Sequence, residues 1–130
     1  MTKHSFYLLG ELEKQIMEII WERGTVTVRD VVKILRKKRH IAYTTVMTVM
    51  YRLAEKRLLN RKDHTGAFEY SAAQKRESFF SRASGDIIKK LISECGDVAI
   101  AEFVKTLDKV DPKKLELLEK KIREKSNERI

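Results

Sequence analysis

A chain of 130 residues with 42% hydrophobic side chains can form one compact domain, or a small domain with an appended helical arm. Its formal net charge of +9 and isoelectric point near 9.7 favour a polyanionic partner, such as nucleic acid or an acidic membrane surface. Residues 1–70 carry 14 Lys or Arg against 8 Asp or Glu, so the positive excess lies mainly in the first half. A single cysteine excludes an internal disulfide framework, and neither a leader-like start nor an apolar run of membrane length is visible. We therefore expect a cytoplasmic protein.

The first forty residues predict two helices joined by a short turn. Apolar residues at 12, 16, 19 and 20 follow the helical period, and Gly24 stands where a left-handed C-terminal cap is usual. Thr27 and Asp30 have the spacing of a capping box at the start of a second helix. We expect that helix to end in the cationic run 36–39, beside its negative pole. Its apolar face comprises Val28, Val31, Val32 and Leu35.

A third helix is predicted over residues 43–57, and a helical wheel separates its two sides. Together with the preceding helix it would form a helix-turn-helix. Ala42 stands where a capping hydroxyl or carboxylate is usual, a weakness on the order of 1 kcal/mol. Alternatively, Thr44 is itself the cap, in which case its side chain would not contact the bases of a nucleic-acid partner. The buried side comprises Val46, Val49, Met50 and Leu53. The opposite side comprises Thr44, Thr48 and Tyr51, flanked by Met47 and Arg52.

A short β-hairpin is predicted after the third helix. Segments 59–62 and 67–71 flank a glycine-containing four-residue loop at 63–66, and Phe68 and Tyr70 share one face by the two-residue period of a strand. Small helical domains use such a wing to straddle the sugar-phosphate backbone. The contacting groups on this wing would be Arg61, Lys62 and His64.

Beyond residue 71 the pattern changes to long helices without a strand signal. An apolar stripe from Phe80 to Cys95 is too broad for one small domain to cover, and Gly96 interrupts it. Cys95 is expected to be a buried small hydrophobe on this stripe. A shorter helix follows, Pro112 opens the last one, and three such helices predict self-association into a two-fold dimer. The expected interface comprises Phe80, Ile87, Leu91, Val98, Phe103, Val104, Leu107, Leu115, Leu118 and Ile122.

Three segments resemble the BlaI/MecI family of penicillinase and methicillin-resistance repressors, which also contains copper-responsive repressors. They are LGELEKQIMEIIW at 9–21, AYTTVMTVMYRLAEK at 42–56 and GAFEY at 66–70. The resemblance covers essentially the whole chain, and AYTTVMTV is its most specific part. It implies a mainly α fold, with a winged helix-turn-helix DNA-binding domain at 1–72 and a helical dimerisation domain at 73–130. It also implies a homodimer bound to an inverted-repeat operator.

The sequence departs from that family in three places. Arg57 stands where relatives often have glycine after the third helix, so a left-handed backbone would be strained there. Gly66 runs directly into Ala67 and Phe68, so the wing lacks an arginine that relatives carry. The paired cysteine motifs of the copper-responsive members are missing, which argues against copper sensing by that route.

Inducible relatives are inactivated by proteolysis in their C-terminal region, which suggests a membrane-bound sensor protease as a partner. The matching bond in this chain joins Glu102 to Phe103. Relatives have asparagine before that bond, and the change of charge weighs against inheritance of this proteolytic switch. We favour the simpler interpretation that Phe103 packs in the dimer core.

The third helix predicts how the protein would contact DNA. Thr44 and Thr48 offer hydroxyls and methyls to base edges in the major groove, and Met47 or Tyr51 adds apolar contact. None of them makes the bidentate guanine contact of an arginine, so specificity requires two half-sites with centres about 34–36 Å apart. Affinity would come mostly from phosphates and fall steeply with salt. The expected backbone contacts are Lys37, Lys38, Arg39, Thr45, Arg52, Arg61, Lys62 and His64.

The sequence gives less support to functional classes other than an operator-specific repressor. His4, His40 and His64 have no ligand spacing, which disfavours a metal site. No catalytic or phosphate-cradling constellation is visible, so we expect neither enzyme activity nor a cofactor. The main alternative to an operator-specific repressor is an architectural protein that coats DNA through the same fold with little sequence preference. A weaker alternative is a module whose wing or basic turn docks on another protein or on RNA.

Overall fold

The computed structural model describes residues 8–129 and confirms the predicted class, mainly α with one β-hairpin. Its helices are α1 (Glu11–Arg23), α2 (Val28–Leu35), α3 (Tyr43–Glu55), α4 (Arg76–Cys95), α5 (Asp97–Thr106) and α6 (Pro112–Glu128). Its strands are β1 (Leu59–His64) and β2 (Ala67–Ala72). A short 3-10 turn, Leu107–Lys109, follows α5. His4, one of the three histidines, lies outside the described residues.

The chain divides into two compact units, one ending at Ile87 and the other beginning at Ile88. The division falls inside α4, beyond the end of β2. The first unit contains α1 to α3, the hairpin and the start of α4. The second contains the rest of α4 with α5 and α6.

The core of the first unit is shared by the three N-terminal helices and the hairpin. Ile16 and Ile20 on α1 and Val31 on α2 are fully buried, with 0% exposure. The hairpin contributes Leu59 at 3% and Tyr70 at 2% exposure. Because burying an apolar side chain of this size contributes roughly 1.5–3 kcal/mol, these contacts fix the wing to the helices.

Helix α3 confirms the predicted wheel at most positions. Val46, Met50 and Leu53 face the core with no exposed surface, whereas Val49 is only half-buried. The helix begins at Tyr43, and its N-cap, Ala42, makes no side-chain capping hydrogen bond. Thr44 is therefore not the cap. The alternative prediction, in which Thr44 caps the helix and does not contact bases, is wrong.

The start of α2 confirms the predicted capping box. The Asp30 amide donates to the Thr27 hydroxyl at 3.2 Å, and the Thr27 amide donates to the Asp30 carboxylate at 2.9 Å. Helix α2 stops at Leu35 with Arg36 as its C-cap, so it ends at the start of the predicted cationic run, and the rest of 36–39 forms the turn that follows. The basic residues therefore lie in the connection between α2 and α3.

The β-hairpin is longer, and its turn tighter, than the sequence predicts. The two strands pair in antiparallel register from Leu59 opposite Ala72 to His64 opposite Ala67. The predicted four-residue loop is wrong, since the turn consists of Thr65 and Gly66 alone. Both have positive φ, 43° and 84°, as a two-residue turn of type I′ requires.

The end of α3 adopts a Schellman motif with arginine in the position usually held by glycine. The Leu58 amide donates to the Leu53 carbonyl at 2.9 Å, and the Arg57 amide donates to the Ala54 carbonyl at 3.0 Å. Arg57 has φ 67°, so the predicted left-handed position is confirmed. Gly24, after α1, has φ 91° and ψ −107°, which is positive φ but outside the left-handed helical region.

Helix α4 begins against α1 through aromatic and ionic contacts. The Trp21 ring lies 5.7 Å, between centroids, from each of Phe79 and Phe80, and its Nε1 donates to the Gln74 carbonyl at 3.0 Å. Arg76 donates two hydrogen bonds to the Glu18 carboxylate, at 2.7 and 2.9 Å. This hydrogen-bonded pairing lowers the pKa of Glu18 below its ordinary value of 4.5.

The second unit has helices but little core of its own. Within the described residues, neither α5 nor α6 contains a buried side chain. Gly96, with φ 57°, separates α4 from α5, as predicted from the interrupted stripe. Cys95 is exposed, so its predicted burial is wrong for this chain taken alone.

Candidate nucleic-acid interface

The outer face of α3 is exposed. Thr44, Thr45 and Thr48 are exposed, and the larger Met47 and Tyr51 are 42% and 45% exposed. The core contacts on the opposite side of the helix hold this face in place. Small hydroxyl side chains of this kind allow a helix to approach a groove closely, with hydroxyls and methyls available to base edges.

A basic turn lies at the N-terminus of α3. The Arg36 Nε donates to the Ile41 carbonyl at 3.1 Å, and a shallow concavity here is lined by Arg36, Arg39, His40, Ile41 and Ala42. Amides at the start of a helix favour an anion, and the uncapped N-terminus adds to the positive charge of the turn. Arg39 is less free than the sequence suggests, because its Nη1 donates to Gln15 Oε1 at 2.8 Å.

The hairpin divides its basic residues between two faces. Arg61 pairs with Tyr70 and faces the helices, and its guanidinium carbon lies 5.0 Å from the Tyr51 ring centroid and 4.2 Å from the Phe68 ring centroid. Lys62 and His64 alternate with it, so they lie on the other face and are exposed. Arg52, the remaining predicted backbone contact, is exposed on α3.

A groove between α2, α3 and the wing contains residues that the sequence did not single out. It has a volume of about 460 Å³ and is lined by Thr27, Val28, Arg29, Tyr43, Met47, Gly66, Ala67, Phe68 and Tyr70. Arg29 is exposed in the first turn of α2, where it lines the same groove as Met47. The sequence could have identified Arg29 from its position in the first turn after the Thr27 cap. In helix-turn-helix proteins the start of that helix approaches the DNA backbone.

Of the residues predicted to form the dimer interface, some are half-buried in the single chain and the others are exposed. Phe80 is half-buried and belongs to the ring cluster with Trp21. The other half-buried members are Ile87, Leu107, Leu115 and Leu118. The exposed members are Leu91, Val98, Phe103, Val104 and Ile122. The bond between Glu102 and Phe103 lies inside α5, where Glu102 accepts a hydrogen bond from Lys105 at 3.0 Å.

Among residues 8–129 no group of three or more His, Cys, Asp or Glu side chains could hold a metal ion. In the same part of the chain no helix combines the length and apolarity needed to cross a membrane.

The exposed α3 face, the short α2–α3 turn and the hairpin on one core define a winged helix-turn-helix protein. A family model described as "Penicillinase repressor" matches residues 9–124, and the chain belongs to that family. The resemblance drawn from the three sequence segments is thereby confirmed.

Three similar proteins show how far the likeness extends. Over 70 residues the chain is 41% identical to "Transcriptional regulator BlaI" of Mycobacterium tuberculosis, a match covering 53% of this chain and 51% of the relative. The matched segment therefore spans about half of that relative. The YusO protein of Bacillus subtilis shares the fold, with a TM-score of 0.51 and 13% identity over 92% of this chain and 75% of its own. The solution structure of the DNA-binding domain of the repressor BlaI matches at a TM-score of 0.48 and 25% identity, over 52% of this chain and 83% of that domain.

Proposed function

We propose that this protein is a DNA-binding transcriptional repressor that acts as a homodimer on an inverted-repeat operator. The observation that carries the proposal is the exposed hydroxyl-rich face of α3, flanked by a basic turn on one side and a wing on the other. Repression requires no chemistry, because a bound dimer that occupies a promoter excludes other proteins from it. The family's description as repressors and the positive charge of the chain support the same conclusion.

Sequence discrimination would come from the groove-facing side of α3. We assign base contacts to Thr44, Met47, Thr48 and, less directly, Tyr51. Hydroxyl and methyl contacts discriminate less strongly than a bidentate arginine on guanine. Useful specificity therefore requires two half-sites contacted together, with centres about 34–36 Å apart along the duplex.

Affinity would come mainly from phosphate contacts. The turn before α3 supplies Lys37, Lys38 and Arg39, and Thr45 and Arg52 flank the contact face of α3. The wing supplies Arg61, Lys62 and His64. Each neutralised phosphate releases counterions, so binding should weaken steeply as salt rises.

The apolar sides of α4 to α6 would form the dimer interface. In this arrangement residues 1–72 bind DNA and residues 73–130 dimerise, with the start of α4 packed on the DNA-binding part. Phe103 belongs to the dimer interface in this proposal, and its exposure in a single chain supports that role.

Selection from a random duplex library, followed by competition binding, tests sequence-specific repression. The full chain should enrich an inverted repeat and prefer it over random duplex by ~10³ or more at physiological salt. Equal affinity for both duplexes would reject an operator-specific repressor and favour the architectural alternative. No binding to either duplex would reject DNA as the partner.

The substitution Thr48→Glu tests whether α3 is the contact helix. A carboxylate on the groove-facing side meets phosphates and base acceptors, so duplex affinity should fall by ~10² or more. The matched control is Ser78→Glu, which adds the same group at an exposed site in the first turn of α4, where a negative charge suits the helix dipole. Equal affinity in the two variants would show that this face of α3 points away from DNA.

A further inference from the structure

The Arg61 guanidinium lies over two aromatic rings that belong to different elements. Its guanidinium carbon lies 4.2 Å from the Phe68 ring centroid and 5.0 Å from the Tyr51 ring centroid. Both distances are within the range at which a cation is attracted to a ring face. Within residues 8–129 the guanidinium makes no hydrogen bond or ion pair with the protein. The guanidinium therefore lies against two rings, while its N–H groups stay available to another molecule.

The register of the hairpin explains why these groups meet. Arg61 pairs with Tyr70 and Asp63 pairs with Phe68, so Arg61 and Phe68 are diagonal neighbours on one face of the hairpin. Diagonal neighbours are within reach when one side chain is long and the other aromatic. The same face turns toward α3, where Tyr51 completes the contact. The guanidinium of this β1 residue thus contacts both α3 and β2.

We propose that Tyr51 and Phe68 form an aromatic clamp that fixes the plane of the Arg61 guanidinium, so that the wing offers a pre-oriented bidentate donor to one DNA phosphate. This inference rests on the proposed function and adds a positioning role to it. Tyr51 acts as a positioning residue through Arg61, and Phe68 gains a role that its sequence position did not suggest.

Stacking suits a bidentate donor for a physical reason. The guanidinium is planar, and two of its N–H groups match the spacing of two phosphate oxygens when the plane is correctly set. A free arginine loses side-chain freedom when it binds, whereas a clamped one has lost part of that freedom already. Lys62 on the opposite face provides a contrast, because its ammonium is a point charge on a mobile stem.

Proton NMR of the full chain without DNA tests the clamp itself. The Arg61 side-chain protons should be shifted upfield by the two rings. Phe68→Leu should remove most of that shift, whereas Phe68→Tyr should retain it. An Arg61 spectrum that matches exposed Arg29 and ignores Phe68→Leu would overturn the clamp.

Binding to a mixed-sequence duplex of roughly 30 base pairs tests what the clamp does, with affinity measured between about 50 and 200 mM salt. Arg61→Ala should reduce the slope of log affinity against log salt by about 0.9 per subunit, the value for one phosphate. Arg61→Lys should keep the slope but weaken binding roughly tenfold, because lysine lacks the planar fork. Phe68→Leu should also weaken binding while keeping the slope, and Phe68→Tyr should restore affinity.

Combined variants separate positioning from an independent contact. Phe68→Leu should weaken the Arg61→Lys protein little further, since both changes remove the same pre-oriented fork. In the matched control, Lys62→Ala should lower the slope by a similar amount but add fully to Phe68→Leu. An unchanged slope in Arg61→Ala, or full additivity of Phe68→Leu with Arg61→Lys, would overturn the inference while leaving the proposed function intact. A wild-type chain that binds no duplex would overturn the proposed function and the phosphate contact together, and the NMR result would still decide the clamp.

Discussion

Arg57 holds a backbone conformation that glycine usually provides. Its φ of 67° lies in the left-handed region, where the β-carbon of an L-residue crowds the following carbonyl at a cost of about 1–2 kcal/mol. The Schellman hydrogen bonds around Arg57 hold it in that conformation, because they fix the path of the chain from the end of α3 to the strand that follows. The strain is therefore located at the junction between α3 and the hairpin.

Replacing Arg57 with glycine should stabilise the protein. Relief of the strained φ should exceed the extra freedom that glycine gives the unfolded chain, for a net gain of roughly 0.5–1 kcal/mol. Urea unfolding measures the change as a higher midpoint with an unchanged slope. Arg57→Ala is the control, since it removes the same charge but keeps the β-carbon. Equal stability of the two variants would show that the charge, and not the backbone conformation, is responsible.

The exposed residues of α3 were predictable from the sequence, but the contacts that neighbouring side chains make were not. Val46, Met50 and Leu53 fix the wheel of α3, and the exposure of Thr44 and Thr48 follows from the helical period. The stacking of Arg61 depends on the pairing register of the hairpin and on its packing against α3. Neither quantity is contained in a local pattern of residue types.

At the scale of elements, the sequence predicted helix boundaries more reliably than the length and turn of the hairpin. The Thr27 capping box and Pro112 mark the starts of two helices, and Gly96 marks a break, because each acts through its own backbone neighbourhood. Asp63 and His64 have the composition of a loop, yet they pair across the hairpin. The positive φ at Thr65 made a two-residue turn possible, and threonine does not signal such a conformation.

The joint between α1 and α4 could not be predicted from the sequence, for a similar reason. Glu18 and Arg76 are far apart along the chain, and only the packing of Trp21 against Phe79 and Phe80 brings them together. Both charged groups remain partly exposed, so solvent screens the pair and its contribution to stability is modest.

This joint should make stability depend on pH through Glu18. Its hydrogen bonds from Arg76 lower the folded-state pKa below 4.5, so the pair's contribution is present above the unfolded pKa and is lost as pH falls through the folded one. The difference in unfolding free energy between wild type and Glu18→Gln should therefore be largest near neutral pH and shrink below about 4.5. Denaturant unfolding across that range measures it. A constant Glu18→Gln difference at all pH values would contradict the assignment.

At the scale of the whole molecule, the exposed apolar surface of the second unit calls for a partner. Val98, Ile100, Phe103 and Val104 on α5 are all more than half exposed, as are Leu117 and Ile122 on α6. Large apolar side chains exposed in this number favour an interaction surface. In the proposed homodimer a second copy of the chain would cover them in a two-fold arrangement, and the inverted repeat in the proposed operator has the same symmetry.

Introducing a charge into this surface should weaken dimerisation and, through it, operator binding. Ile122 is 58% exposed in the single chain, and Ile122→Lys would appear twice in a two-fold interface, so the dimer dissociation constant should rise by ~10² or more. Sedimentation equilibrium measures this change, and a duplex with one half-site should then bind nearly as well as one with two. Asn127→Lys adds the same charge to an exposed site on α6 away from the apolar stripe, and should change neither quantity. If Ile122→Lys leaves the mass and the half-site preference as in wild type, the α6 stripe lies outside the dimer interface and a different surface must supply the symmetry.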